Sequence, residues 1–461
     1  MIRKGLDAVD ERLGTNRFVR AAVNKVFPDH WSFLFGEIAL YSFITLVLTG
    51  TYLAFFFSPS SRDVVYDGSY APLRGVHMTE AYRSTVRLSF DVRAGLVFRQ
   101  MHHWAALVFL GAIVLHLARV FFTGAFRKPR EINWIIGVSM LILAMVNGFF
   151  GYSLPDDLLS GTGLRIMYSV ALAVPVMGTW FAFLLFGGEF PAGDITSRLF
   201  VLHILIVPVL LGGLMGLHLA VVWRQKHTQF ARPGHTETNV VGSPLWPTYA
   251  ARSIGLFCGL FGVVALLGGV AQINPIWLYG PFEPSSVTTA AQPDWYMGWL
   301  EGALRLGPAW RPTVAGYPIS ELFWPAVLLP GLTFLLLYAW PFLEAALTRD
   351  HAFHQLLDRP RDRPLRTAVG AGVVAFYLVL FVAGSQDLIA QYGGLSVPTV
   401  TLWLRVLLVV LPVAVAAATG RICHDLRAAD RLHDMQAEAR AELSSAPAPE
   451  GPQAGVETGW S

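Results

Sequence analysis

Four histidines inside two long apolar stretches constrain this chain more than any other feature. His102 and His116 are 14 residues apart in one stretch, and His203 and His218 are 15 apart in the other. At about 100° and 1.5 Å per residue, either step is close to four helical turns, or roughly 21–22 Å along the axis. Each stretch, folded as a helix, therefore presents two imidazoles on nearly one face, one near each side of a bilayer core about 30 Å thick.

Two such helices side by side would form two bis-histidine sites stacked across a membrane. An imidazole in hydrocarbon needs a partner, and a transition metal is the best one available. Because no carboxylate or thiol lies nearby to complete a zinc site, the pattern predicts haem iron. The sequence lacks Cys-x-x-Cys-His, so the haem is expected to be b-type, without thioether bonds. The alternative is histidines that line a pore or bridge helices. His103 has no partner at this spacing and is expected to be a neighbour rather than a ligand.

The composition is that of a polytopic membrane protein. Of 461 residues, 54% are hydrophobic and only 14% are charged. The net charge of +3 does not indicate nucleic-acid binding, because the basic residues fall in loops. We predict an all-α polytopic membrane protein with eight transmembrane helices and a four-helix di-haem bundle in its N-terminal half. The apolar segments lie near 33–57, 97–122, 132–152, 199–223, 251–272, 319–343, 367–385 and 396–418.

Loop charges predict the orientation of these helices. Basic residues follow both histidine stretches, so by the positive-inside rule both helices end in the cytoplasm and are parallel. Parallel helices need one crossing between them, which 132–152 supplies. The apolar stretch 166–186 is then expected to lie at the outer surface or to dip in as a helical hairpin. The same rule predicts that both termini are cytoplasmic.

Glycines repeat the histidine period in two other predicted spans. Gly36 and Gly50 are 14 residues apart in the first span, and Gly137 and Gly151 are 14 apart in the third. Glycine lets a bulky planar group approach the backbone, although it also favours close helix packing in membranes. Two pairs at this period predict that spans one and three flank two haem planes.

With these residues in view, the chain resembles the cytochrome b subunit of cytochrome bc complexes, the quinol:cytochrome c oxidoreductases, over about residues 20 to 420. The histidine and glycine pattern is one shared motif. The others are Gly151-Tyr-Ser-Leu-Pro155 with Gly161-Thr-Gly163, and Pro293-Asp-Trp-Tyr296, which is similar to the family's Pro-Glu-Trp-Tyr. The aspartate and the 15-residue spacing depart from many members. Both resemble high-GC Gram-positive bacterial members, which tend to use menaquinol.

The resemblance implies a role for each histidine of the two pairs. His102 and His203 look like ligands of a low-potential haem near the outer face. His116 and His218 resemble the ligands of a high-potential haem near the cytoplasm. The expected cofactors are therefore two haem b groups held without covalent bonds.

Further roles follow from the same resemblance. Arg99 and Arg119 match arginines that meet haem propionates, although a guanidinium at an interface also snorkels to water. Asp294 matches a carboxylate that takes a proton from quinol, with a solvated loop aspartate as the alternative. Tyr152 and Tyr296 match its catalytic neighbours, and are otherwise ordinary interfacial aromatics. The implied outer quinol pocket comprises Phe149, Tyr152, Pro155, Gly163, Pro293, Asp294 and Tyr296.

The implied activity is quinol oxidation at the outer face of a bacterial cell membrane. One electron is expected to go to a Rieske iron–sulfur protein. The other is expected to cross by two haems to an inner quinone site, contributing to proton-motive force. Trp31, Arg224, Lys226 and His227 lie at the right depth for that site, although basic loop ends are usually positive-inside charge. The expected partners are the Rieske protein, a cytochrome c subunit, a second copy of the chain, a terminal oxidase in a supercomplex, and membrane lipid; no nucleic acid is expected.

The predicted regions are an N-terminal di-haem region at 1–243, a C-terminal region with the quinol-site loop at 244–425, and a disordered cytoplasmic tail at 426–461, which is rich in Ala, Glu and Pro.

A di-haem membrane anchor of a dehydrogenase is the main alternative, but such anchors usually have fewer spans and lack the Pro-Asp-Trp-Tyr loop. A transporter would need discontinuous helices and charges near mid-bilayer, and neither stands out.

Overall fold

Eight helices are long and apolar enough to cross a bilayer within the described residues, which are 12, 15–191, 193–286 and 292–445 of the computed structural model. This number agrees with the prediction. Each span is a nearly continuous apolar run, as a helix surrounded by lipid requires. Spans 1 to 8 are Trp31–Ala54, Gly95–Phe122, Glu131–Ser153, Ile195–Gln225, Leu245–Val270, Trp324–Thr348, Pro364–Ala383 and Val397–Ala441.

Short elements connect the spans. The shorter helices are Thr15–Val23, Glu80–Phe90, Leu158–Leu172, Gly178–Phe186, Ile276–Tyr279, Trp295–Leu306 and Gln386–Gly393. Single turns of 3-10 helix lie at Ala71–Leu73 and Pro360–Asp362. Small antiparallel strand pairs join Val26–Phe27 to Ser243–Pro244, Asp63–Val65 to His77–Thr79, and Thr313–Val314 to Tyr317–Pro318. Gln229–Phe230 pairs in parallel with Leu356–Leu357.

Two groups of helices make up the fold. In the first, span 2 packs along span 1 and touches spans 3 and 5, and span 4 packs on span 3. In the second, span 7 packs between span 8 and the helix Trp295–Leu306. Buried Phe109, Leu141 and Tyr296 belong to one apolar cluster. This cluster fixes the start of the helix Trp295–Leu306 against spans 2 and 3, where the predicted site residues lie.

The stretch 166–186 has the helical-hairpin form, which is one of the two arrangements that the loop charges predicted. Leu158–Leu172 has 15 residues, or about 22 Å of helix, which is shorter than a bilayer core of about 30 Å. It packs against Gly178–Phe186. Leu164 and Phe186 are buried in a cluster with Leu211 of span 4. The hairpin is therefore fixed to the same end of the bundle as His203.

The expected disordered tail is wrong for residues 426–445. Span 8 continues without a break in the helix Val397–Ser445. The tail is rich in Ala, Arg, Glu and Leu, which are strong helix formers, so its polarity does not prevent a helix. Asp430 also forms ion pairs with Arg361 at 3.0 Å and with Arg359 at 3.4 Å, which hold the helix to the loop before span 7. The rest of the predicted tail, 446–461, lies outside the described residues.

Cysteine labelling tests the side of the membrane on which the hairpin opens. Arg165→Cys and Glu189→Cys, each at an exposed position in a Cys258→Ser background, should both react with an impermeant maleimide added from outside intact cells. We expect this because a hairpin returns to the face from which it entered. Arg421→Cys, also exposed, should react only after the membrane is opened. Reaction of the two hairpin positions from opposite sides would show that the stretch crosses the membrane.

Candidate functional site

The four histidines of spans 2 and 4 form two facing pairs. The ring centroids of His102 and His203 are 6.0 Å apart, and those of His116 and His218 are 6.4 Å apart. The ring planes within each pair are inclined at 78° and 73°. The two predicted pairs thus lie together, one at each end of the bundle. We call these the His102 end and the His116 end.

The spacing of each pair fits a metal ion between the rings. A metal–imidazole bond of about 2 Å on each side, plus about 1 Å from each nitrogen to its ring centre, gives about 6 Å between centroids. At the His102 end, His102 Nδ1 lies 2.9 Å from Thr49 Oγ1, and His203 Nδ1 lies 2.9 Å from the Asn147 carbonyl oxygen. These contacts engage one nitrogen of each ring and leave Nε2 for a metal, as in known metal sites.

Each of the four predicted glycines faces one of these rings. A Cβ on Gly50 would lie 3.0 Å from His102 Cε1, and one on Gly36 would lie 3.2 Å from His116 Cε1. A Cβ on Gly151 would overlap the His203 ring, whereas one on Gly137 would lie 4.0 Å from His218 Cε1. The absence of a side chain therefore creates space at the imidazoles, and the requirement is strictest at Gly151.

A π-helical turn explains why the second histidine pair is 15 residues apart rather than 14. His203 lies in the π turn Leu202–Ile206, in which the Val207 N–H donates to the Leu202 carbonyl five residues earlier. Such a turn accommodates one extra residue within an α-helix. Pro208 follows directly and has no N–H to donate, which favours the altered pairing. The turn restores the phase of the helix, so both histidines of span 4 face span 2.

Two buried guanidinium groups lie beside the pairs. Arg99 donates to the Asn274 carbonyl oxygen at 3.3 Å, but its Nε is buried without a hydrogen-bond partner in the described part of the chain. Arg119 lies 4.2 Å from the centre of the Phe33 ring, and its Nε and Nη2 are likewise buried and unpaired among the described residues. A snorkelling arginine would place these atoms in water. Buried unpaired cations instead favour an anionic partner, which the propionates of a haem supply.

A carboxylate and an imidazole meet beside the His102 pair. His103 Nε2 and Asp294 Oδ1 are 2.8 Å apart, and both side chains are only 15% exposed. Asp294 immediately precedes the helix Trp295–Leu306, while His103 is one residue from His102 and so faces about 100° away from it. The expectation that His103 is a neighbour rather than a ligand missed this contact. A second histidine beside a predicted ligand was the available signal.

The other predicted pocket residues lie on span 3, in the hairpin that follows it and at the start of the helix Trp295–Leu306. Tyr296 is 4% exposed, and its hydroxyl lies against the backbone of Gly148. Burial, followed by the charge of Asp294, raises the pKa of Tyr296 well above its usual value, so it remains a neutral hydroxyl. The rings of Phe149 and Tyr152 face Gly163: a Cβ at that position would lie 3.8 Å from Phe149 Cε2 and from Tyr152 Cε1. Pro155 lies in the turn after span 3, and Pro293 directly precedes Asp294.

The His116 end opens into a cavity of about 700 Å³ that reaches His116 and His218. Trp31, Lys226 and His227 line it, as expected for an inner site, but among the described lining residues Arg224 is not included. Burial, followed by the charges of Lys25, Arg130 and Arg119, lowers the pKa of His227 to about 4.

The cavity also has a carboxylate that the sequence reasoning missed. Glu37 accepts hydrogen bonds from the Tyr249 hydroxyl and the Ser253 hydroxyl, both at 2.7 Å. All three residues line the cavity. Glu37 is the only charged residue in span 1, and a lone carboxylate in an apolar span is a functional signal.

Comparisons with known proteins point to one family. A family model described as "Cytochrome b(N-terminal)/b6/petB" matches residues 107–281. The cytochrome bc1 complex cytochrome b subunit of Mycobacterium leprae is 52% identical over 432 residues, which cover 94% of this chain and 78% of that protein. Those of Streptomyces coelicolor and Corynebacterium diphtheriae are each 50% identical, and the matches cover 92% of this chain and 78% of each relative.

A solved structure shares the fold. A chain of "Hyperthermophilic respiratory Complex III" matches 90% of this chain and 99% of its own length with a TM-score of 0.67 at 20% identity. With the identity to the bc1 relatives over nearly the whole length, the chain belongs to the cytochrome b family, as a cytochrome b subunit of the bc1 complex, the quinol–cytochrome c reductase of the respiratory chain.

Proposed function

We propose that this chain oxidises quinol in the pocket around Asp294 and reduces quinone in the cavity at the His116 end. One electron from each quinol leaves to a Rieske iron–sulfur protein, and the other crosses the bundle. The observation that carries the proposal is the contact between Asp294 and His103. It provides a proton-accepting carboxylate beside the His102–His203 pair.

The two histidine pairs would hold two haem b groups without covalent bonds. The ring separations, the glycines opposite each ring and the unpaired nitrogens of Arg99 and Arg119 support this assignment. When bound, the haems supply one-electron redox centres at the two ends of the bundle. The protein fixes the imidazoles in place through Thr49 and the Asn147 carbonyl.

Asp294 takes a proton from the quinol hydroxyl. An ionised carboxylate is an acceptor only, and His103 Nε2 can donate to one of its oxygens, which leaves the other for the substrate. This bond orients the carboxylate while both groups remain largely shielded from water. The neutral hydroxyl of buried Tyr296 and the rings of Phe149 and Tyr152 form apolar and hydrogen-bonding walls.

At the His116 end, the chain offers groups for quinone reduction. The cavity of about 700 Å³ lies within the usual range for a cofactor-sized ligand. Glu37, with Tyr249 and Ser253, can deliver protons to a reduced quinone, and Lys226 favours its anionic forms. His227 is held neutral near physiological pH and is therefore a hydrogen-bonding group rather than a cation.

We further propose an orientation in the membrane and a set of partners. The His102 end faces outward and both termini face the cytoplasm of a bacterial cell, as loop charges favour. Residues 1–243 then form the di-haem region, and 244–425 carry the quinol loop. The proposed partners are a Rieske protein, a cytochrome c subunit, a second copy of the chain and a terminal oxidase, and the proposed substrate is menaquinol.

Replacing an inner ligand tests the haem assignment. His116→Leu or His218→Leu should remove one of two haems, because one imidazole alone no longer holds the metal from both sides. Haem per chain, measured by pyridine haemochrome and redox titration of the purified complex, should fall by about half. His77→Leu, at an exposed position, is the control and should retain both haems. The assignment is contradicted if the wild-type complex contains no haem, or if either variant retains both haems.

The glycines give a matched pair of variants within span 3. Gly151→Ala should displace the His203 ring and deplete the haem at the His102 end, because the added methyl overlaps that ring. Gly137→Ala, 14 residues earlier, should retain both haems since its methyl makes an ordinary contact with His218. Optical spectra and haem content distinguish the two. Equal behaviour of the two variants would mean that the close approach at Gly151 is not required.

Replacing Asp294 tests the proton acceptor. A general base contributes typically ~10²–10⁴-fold, and water can partly substitute, so Asp294→Asn should slow quinol oxidation at least about tenfold. Asp294→Glu should retain most activity because it preserves the carboxylate. Both variants should keep full haem content, and Asp63→Asn, at an exposed position of the strand Asp63–Val65, should have the wild-type rate. A wild-type rate in Asp294→Asn with the iron–sulfur partner intact would assign proton acceptance to another group, such as Tyr296.

A further inference from the structure

Asp387 connects the segment before Asp294 to the end of span 7, and it has no role in the proposed function. It lies in the first turn of the short helix that follows span 7. Its two carboxylate oxygens are 3.0 and 3.2 Å from Gln292 Nε2, and its Oδ1 also accepts from Arg305 Nη1 at 2.7 Å. One carboxylate therefore binds the residue two positions before Asp294 and a residue near the end of the helix Trp295–Leu306.

The bonds of Asp387 are largely shielded from water. Its side chain is 24% exposed and that of Arg305 is 19% exposed, and Arg305 also pairs with Glu301 one turn earlier on its helix. Burial acts to raise the pKa of Asp387, but the hydrogen bond and the charge of Arg305 outweigh it and hold that pKa below its usual value. Asp387 is therefore ionised and acts only as an acceptor. A hydrogen bond to a charged acceptor is stronger than one between neutral groups, so the Gln292 amide is firmly held.

The helix Trp295–Leu306 has a fixed register on the end of span 7. A Cβ on Gly302 would overlap the Leu380 carbonyl oxygen, and a Cβ on Gly384 would lie 2.5 Å from the Gly298 carbonyl oxygen. The two backbones thus approach each other at positions where no side chain fits. The aspartate lies only three residues beyond Gly384. It is therefore attached to the part of span 7 that is packed most closely on this helix.

The link between Gln292 and Asp294 is a single proline. The ring of Pro293 fixes its own φ angle, and it restricts Gln292 to extended conformations. On the other side, the Asp294 carbonyl oxygen accepts from the Met297 N–H at 2.9 Å, in the first turn of the helix. A displacement of Gln292 is therefore passed on to the Asp294 backbone, because the chain between them has little freedom to absorb it.

An aspartate depends on the placement of its backbone more than a glutamate does. Its carboxylate is one carbon closer to the backbone and has one rotatable bond fewer, so side-chain rotation compensates less for a shifted chain. Proton transfer requires the two heavy atoms to lie about 2.6–3.2 Å apart. A proton acceptor that is an aspartate, as at Asp294, therefore needs a chain that is held in place on both sides.

We infer that Gln292 and Asp387 are positioning residues for quinol oxidation, because their hydrogen bond places the Asp294 backbone where its carboxylate reaches the quinol hydroxyl. This inference rests on the proposed function. His103 Nε2 orients the Asp294 carboxylate, and the Gln292–Asp387 bond fixes the chain from which that carboxylate extends. The proton itself does not pass through Asp387.

The substitution Gln292→Leu removes the amide donor but keeps the side-chain size and the Arg305–Asp387 pair. In the intact complex, kcat for quinol oxidation should fall about tenfold, since a small displacement of a reacting group is costly. Haem content should be unchanged, and KM should change by less than about twofold because the pocket walls remain. Gln292→Asn, which keeps an amide, should recover part of the rate. Gln391→Leu, the same change at an exposed position of the helix that contains Asp387, is the matched control and should have the wild-type kcat.

The other partner of the bond provides a second test. Asp387→Leu should lower kcat by a similar factor, and Gln292→Leu combined with Asp387→Leu should be no slower than Asp387→Leu alone, because both changes remove the same bond. Multiplied effects in this double variant would show that the two side chains act independently, and they would overturn the inference.

Coupling to Asp294 is the decisive measurement. Placement of the chain matters only while the carboxylate is present, so Gln292→Leu combined with Asp294→Asn should be no slower than Asp294→Asn alone. A further loss of rate in this double variant would leave a purely structural bond and overturn the inference. If Gln292→Leu has the wild-type kcat while Asp294→Asn is slow, only this inference fails. A wild-type rate in Asp294→Asn contradicts the proposed proton acceptor and this inference together.

Discussion

Pairs of imidazoles buried four helical turns apart determine the rest of this structure. Each ring needs a partner ring at about 6 Å and an opposing surface without a side chain, so spans 1 and 3 place glycine at the same period. Buried arginines at either end are then the natural counterparts of anionic cofactor groups. The surrounding helices, the hairpin and the loop that ends at Asp294 all pack on this framework, which is why a few spacings in the sequence carry so much information.

Periodicity predicted the features that repeat along straight helices. The eight spans and the two histidine pairs could be anticipated because hydrophobic length and a four-turn step are visible in one dimension. The hairpin at 166–186 is one of the two arrangements that the loop charges allow. The π turn at His203 could not be anticipated, although the extra residue in the 15-residue step is a sign of it. A departure from a regular period marks a local change in helix winding, and the spacing alone does not show where in the helix that change lies.

Contacts between segments that are distant in the sequence are harder to predict. His103 and Asp294 are 191 residues apart, and Glu37 of span 1 is 212 residues from Tyr249 of span 5. No local sequence pattern connects the two members of either pair. The tail was misjudged for a different reason. A polar composition is typical of disorder, but good helix formers continue an already nucleated helix at low cost, and Asp430 adds ion pairs to another segment.

The last helix has a mechanical consequence. Its 49 residues correspond to about 74 Å, more than twice the thickness of a bilayer core. Span 8 is thus one part of a continuous strut whose other part, anchored through Asp430 to the loop that precedes span 7, stands in water. Because Asp430 joins this helix to the loop before span 7, a tilt of span 8 within the lipid would also displace that loop. Thickness of the surrounding membrane and the position of a solvent-exposed surface are thereby coupled through a single element.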